Sequence, residues 1–164
     1  IQWLKGIGLM KILFRNNTKN RFMSGVELRN LTKKVMRIML KSLGNKNIEV
    51  SILIIGDGSM RLLNNKYRGI NSPTDVLSFP MTEKGEDIIS TDVPLLLGDI
   101  AISLETAARQ AENAGHSIHK EVVLLLCHGF LHLLHYDDKE KNARRKMFAE
   151  QNRWMEIFER EGII

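Results

Sequence analysis

The chain has five histidines, and three of them, His128, His132 and His135, cluster at the end of one apolar run. His128 and His132 are four apart, so on a helix they share a face with Cβ atoms about 5–6 Å apart. Two imidazoles so placed can hold one zinc ion at about 2.0–2.1 Å each. A catalytic zinc site uses three protein ligands and keeps one position open. Asp138 lies six residues beyond His132, past the expected helix end, where a turn can bring its carboxylate back. His135 is the rival third ligand, because it shares the face of His128 and His132 if the helix runs straight on.

From His128 to Asp138 the spacing is His-x3-His-x5-Asp, that of the zinc-binding run of the metzincins. One residue departs sharply. Gly129 stands where those proteases carry a general-base glutamate, so peptidase chemistry by that route lacks its base.

The element that must carry the histidines is legible. Ser117 is a plausible N-cap, and Val122 to Cys127 is apolar all round, which marks a buried helix from Ile118 to about Leu134. A buried imidazole needs a polar partner or an ion. Around this helix the sequence predicts strands at Lys11 to Arg15, Ile48 to Ile55, Val76 to Phe79 and Leu95 to Ser103. It predicts helices from the Ser24 cap to about Leu43, stopped by Gly44-Asn45, and from an Asp57 cap to Tyr67. Two more run over Leu104 to Ala114 and from about Lys139 to Glu161. Residues 69 to 98, with all three prolines and Gly69, Asn71, Gly85 and Asp92, should be turn and loop with short strands. Interleaved strands and helices make an α+β layered domain, a small mixed sheet flanked by helices.

The 164 residues suit one domain, placed at 10–164. Residues 1–9, ahead of Met10, read as an extension and are set aside. The lone Cys127 allows no disulfide within the chain, which suits a reducing compartment such as the cytoplasm. No apolar run approaches the roughly 20 residues of a membrane span. A net charge of +5 suits a polyanionic partner.

Three segments carry a family resemblance. His128-Gly129-Phe130-Leu131-His132-Leu133 with Tyr136-Asp137 resembles the zinc motif of the YbeY family, His-Gly-x-Leu-His-Leu-x-Gly-Tyr-Asp-His. Leu63 to Gly69 followed by Pro73 to Pro80, and Leu97 to Ser103, are also similar to that family. The resemblance implies a metal-dependent, single-strand-specific endoribonuclease acting in ribosomal RNA maturation and ribosome quality control. Its partners would be single-stranded RNA and the small ribosomal subunit, with no membrane. It implies a zinc ion, or another divalent metal, on His128, His132 and a third ligand. It also places the family's catalytic or RNA-binding arginine on Arg68.

The chain departs from the pattern twice. Asp138 replaces the usual third histidine, and His135 replaces the glycine that turns the chain. Aspartate ligates zinc at about 2.0–2.2 Å but makes a less metal-selective site. The retained Tyr136-Asp137 favours the family turn, and with it Asp138 over His135.

Other residues have competing roles. Asp137 would either orient a ligand imidazole or cap the next helix. Lys139, Lys141, Arg144, Arg145 and Lys146 form a solvated basic face, part of which could track an RNA backbone. Cys127 reads as a small buried apolar residue. Asp75 and Asp99 are structural or line a polar site. The alternatives to a ribonuclease are a zinc peptidase and a ribosome-associated binding factor with a structural metal.

Overall fold

The structure, a computed structural model, describes residues 10–19, 21–44, 47–85 and 93–164. The extension expected at residues 1–9, and Asn45 and Asp92, lie outside the described residues. In chain order the elements are β1 (Met10–Asn16), α1 (Gly25–Lys41), β2 (Ile48–Ile55), α2 (Asp57–Arg68) and β3 (Val76–Pro80). They continue as β4 (Leu95–Ser103), α3 (Leu104–Ala114), α4 (Ile118–Leu133) and α5 (Lys141–Arg160).

The four strands form one mixed sheet in the order β1-β2-β4-β3. β1, β2 and β4 run parallel, and β3 lies antiparallel on the outer edge of β4. This is the expected α+β architecture, a small mixed sheet with flanking helices. The helix starts follow local chemistry. Ser24, Ser103 and Ser117 each accept a hydrogen bond from the backbone N–H three residues on, which satisfies an otherwise orphaned donor.

Asp57 is a correction. It does not cap α2; the N-cap is Gly56. Its carboxylate instead accepts from the hydroxyls of Ser103 and Thr106, each at 2.6 Å, and pairs with Arg109 at 2.8 Å. Charge-assisted partners on α3 outbid the local backbone amide. A side chain from α3 serves the start of α2 instead: Glu105 Oε2 accepts from Asp57 N at 2.6 Å.

α4 touches α1, α3, α5 and both β3 and β4, so almost every face of it is covered. That is why Val122, Val123, Leu125, Leu126, Phe130 and Leu131 are all buried. α4 lies tightly against the sheet at Gly129. A Cβ there would lie 2.8 Å from Ile100 Cγ2 and 3.1 Å from Ser78 Oγ. The position of the missing glutamate is therefore where helix meets sheet, with no room for a side chain. Ser78 Oγ also donates to the Gly129 carbonyl at 3.1 Å.

Gly129→Ala should lower stability. Overpacking costs about 1–3 kcal/mol, and the better helix propensity of alanine returns at most about 1 kcal/mol. Urea unfolding reads the difference as a lower midpoint at unchanged slope. An unchanged midpoint would mean that the sheet yields without strain.

Candidate metal centre

α4 ends on the spot where the chain must turn. His135 has φ +64, and its N–H donates to the His132 carbonyl while the Tyr136 N–H donates to Leu131. Those two bonds form a Schellman cap, whose left-handed residue is usually glycine. Histidine tolerates that conformation better than most side chains. The turn ends the helical face before His135 can join it. Its ring nitrogen Nε2 instead meets Thr82 Oγ1 at 3.1 Å.

The turn returns Asp138 toward the helix. Its Oδ2 lies 3.9 Å from Nε2 of His128 and 3.9 Å from Nε2 of His132. The two Nε2 atoms are 3.1 Å apart. One ligand atom from each of the three residues falls within 4.8 Å of the others. His135 is not among them.

The far side of each ring is committed. His128 Nδ1–H donates to Gln151 Oε1 at 3.0 Å, and His132 Nδ1–H donates to the Tyr136 carbonyl at 3.0 Å. A neutral imidazole carries one N–H, so both Nε2 atoms then present bare lone pairs to each other. Facing lone pairs repel, and a cation between them removes the repulsion. A tetrahedral ion at about 2.0–2.1 Å from two nitrogens holds them roughly 3.3–3.4 Å apart, close to the observed gap. The donor set thus fits a divalent ion. Burial, and then the neighbouring His128, hold the pKa of His132 below its ordinary value, although Asp138 pulls the other way. That favours the neutral ring a metal requires.

Arg68, at the C-terminal end of α2, reaches the same cavity. The cavity holds about 700 Å³, and His128, His132, Asp138, Lys84 and Lys139 also line it. Arg68 is exposed and has no hydrogen-bond or ionic partner among the described residues. Sequence and structure therefore bring Arg68, His128, His132 and Asp138 to one place.

Asp137 follows neither expected role. Its Oδ1 accepts from Lys139 N at 3.0 Å, an Asx turn that shapes the approach to Asp138, and the N-cap position of α5 falls to Glu140, whose side chain makes no capping bond. Of the basic cluster, Lys139 lines the cavity, and Arg144 Nε donates to the Asp138 carbonyl at 2.6 Å. Cys127 is buried, and burial pushes its thiol up to about 12, which leaves it inert at neutral pH. Asp75 has both expected roles: its carboxylate accepts from Val76 N and Gln110 Nε2, and the residue also lines the cavity. Asp99 is turned to the other face of the sheet, because its neighbour Ile100 meets Gly129 and successive strand residues alternate.

The family model for endoribonuclease YbeY matches residues 13–159, a span that contains every residue of this site. The chain belongs to the YbeY family. A relative named endoribonuclease YbeY from Geobacillus thermodenitrificans (strain NG80-2) is 48% identical over 118 residues, covering 70% of this chain and 74% of its own. One of the same name from Desulforamulus reducens is 40% identical over 149 residues, covering 90% and 95%. A third, from Bacillus subtilis (strain 168), is 40% identical over 113 residues, covering 67% and 72%. The solution structure of a Thermotoga maritima protein superimposes with a TM-score of 0.60 at 24% identity, covering 90% of this chain and 87% of that one. That last likeness shows the fold alone.

Against the YbeY pattern, the exchange of histidine for Asp138 still leaves a side-chain donor aimed at both ring nitrogens. The exchange of glycine for His135 leaves the turn in place. Sequence reading missed Gln151. Its signal is a polar residue within the buried stripe of α5, between Met147 and Trp154. The Tyr136 carbonyl carries no sequence signal, because every residue has one.

Proposed function

We propose that this chain is a zinc-dependent endoribonuclease that cuts single-stranded RNA. Its substrate would be ribosomal RNA of the small subunit, in maturation and ribosome quality control in the cytoplasm. One domain over residues 10–164 carries the activity. The observation behind the reading is one open cavity that holds two facing Nε2 atoms 3.1 Å apart, a carboxylate and an exposed arginine with no partner among the described residues.

His128, His132 and Asp138 would hold the ion. When bound, zinc supplies Lewis acidity, which polarises a phosphoryl oxygen and acidifies water to a pKa of about 7. The Arg68 guanidinium would grip a phosphate oxygen bidentately and stabilise charge in the transition state. Lys84 and Lys139 attract the backbone to the same wall. The partly buried ligand set favours a flexible strand over a stiff duplex, since the scissile phosphate must enter the cavity. No described helix is long and apolar enough to cross a membrane.

The alternatives fit less well. A peptidase of the metzincin kind needs a base where Gly129 meets the sheet. A structural zinc site is closed by four protein ligands, whereas only three groups converge among the described residues. Metal content and cleavage of single-stranded RNA, duplex RNA and peptide should be measured on one preparation. Metal with no RNA cleavage would support the binding factor, and peptide cleavage the protease.

The third ligand has its own test. Asp138→Ala should weaken zinc binding, and Asp138→His should keep it. His135→Gly should leave zinc affinity unchanged and stability equal or slightly higher, because the gain of about 1–2 kcal/mol from removing a Cβ from a left-handed position is partly offset by the lost bond to Thr82. Unchanged affinity in Asp138→Ala with loss in His135→Gly would reverse the assignment.

A further inference from the structure

We infer that Gln151 is a positioning residue that sets the ring tautomer of His128 and keeps its Nε2 available as a ligand atom. Gln151 projects from α5 into the buried stripe formed with Met147, Trp154, Met155 and Phe158, and is only 7% exposed. A buried amide costs free energy unless it is hydrogen-bonded. Its oxygen accepts from His128 Nδ1–H at 3.0 Å, across 23 residues of sequence.

The consequence lies on the other side of the ring. His132 is locked independently, since its Nδ1–H donates to the Tyr136 carbonyl, so its Nε2 is an acceptor. The two Nε2 atoms are already at hydrogen-bond distance, 3.1 Å. If His128 lost its Nδ1 acceptor, the ring would gain by moving its proton to Nε2 and donating to His132. That bond would consume both ligand lone pairs and close the pair on itself. Gln151 prevents this by making the Nδ1–H tautomer the better-bonded one. α5 is then part of the site although it contributes no ligand. Partners of this kind, when removed, lower metal affinity by about 10–100-fold.

The inference rests on the metal reading for its purpose, but the tautomer can be read without metal. Long-range proton–nitrogen NMR of the metal-free full chain, at a pH of about 8 where imidazole is neutral, assigns the proton on each His128 nitrogen. Wild type should show Nδ1–H. Gln151→Leu, which suits the apolar stripe, should show Nε2–H and a zinc affinity about 10–100-fold lower. Gln151→Glu retains an acceptor and should restore both the Nδ1–H tautomer and the affinity. Nε2–H in wild type, or Nδ1–H with unchanged zinc affinity in Gln151→Leu, would overturn the inference. Equal loss in the Leu and Glu variants would also overturn it, pointing to packing instead. A wild-type chain with Nδ1–H that takes up no zinc would sink the metal reading and leave the role of Gln151 standing.

Discussion

Replacing His132 by alanine is expected to strip the chain of its divalent metal. The variant keeps His128 and Asp138, but two ligands spaced for a shared ion hold it poorly. Structural zinc sites bind with about 10–16 kcal/mol from four ligands, roughly 2.5–4 kcal/mol each, so one lost ligand costs about 10²–10³-fold in affinity. Metal content after dialysis against a weak chelator should fall from near one ion per chain to a small fraction. The fold should survive, because His132 is partly exposed and its truncation opens onto the cavity, not the core. The thermal midpoint supplies a second reading. Zinc that binds only the native state should raise the midpoint of wild type and leave that of the variant where it was. A variant that keeps its full metal content would place the ion elsewhere.

Arg68→Ala is expected to cost RNA cleavage about 10²–10³-fold, the scale for removing one donor that meets charge developing in the transition state. Zinc affinity and stability should hardly move, since Arg68 is exposed and unpartnered among the described residues. Arg68→Lys should recover little. A lysine keeps the charge but cannot reproduce the planar two-donor grip on a phosphate. Full activity in the alanine variant would return Arg68 to the surface. Full recovery by lysine would show that net charge alone matters there.

Much of this fold was legible in the chain itself. β2, β4 and α3 fall on the predicted bounds, and α4 ends within a residue of them. These signals are local. Alternation, helical period and a capping serine are read from neighbours within about four positions. The site was half legible for the same reason: His128 and His132 share a face because one helix carries both. The Asp138 turn, and a left-handed backbone at His135 where the family glycine turns the chain, could both be expected from the motif, and His135 has that backbone, with φ +64.

What tertiary structure decided lies at long range. The order β1-β2-β4-β3, with β3 antiparallel at the edge, depends on pairings between distant segments that no local pattern encodes. Asp57 looked like a cap from its own neighbours and was claimed by Ser103, Thr106 and Arg109. Gly129 read as a missing catalytic group and proved to be the point where α4 touches Ile100. Gln151, 23 residues from His128, acquired its role when α5 docked on α4. Sequence determines which groups are available and which short-range faces they share. The partner that each buried polar atom finds is chosen by packing, because only the folded chain removes water as the competing partner.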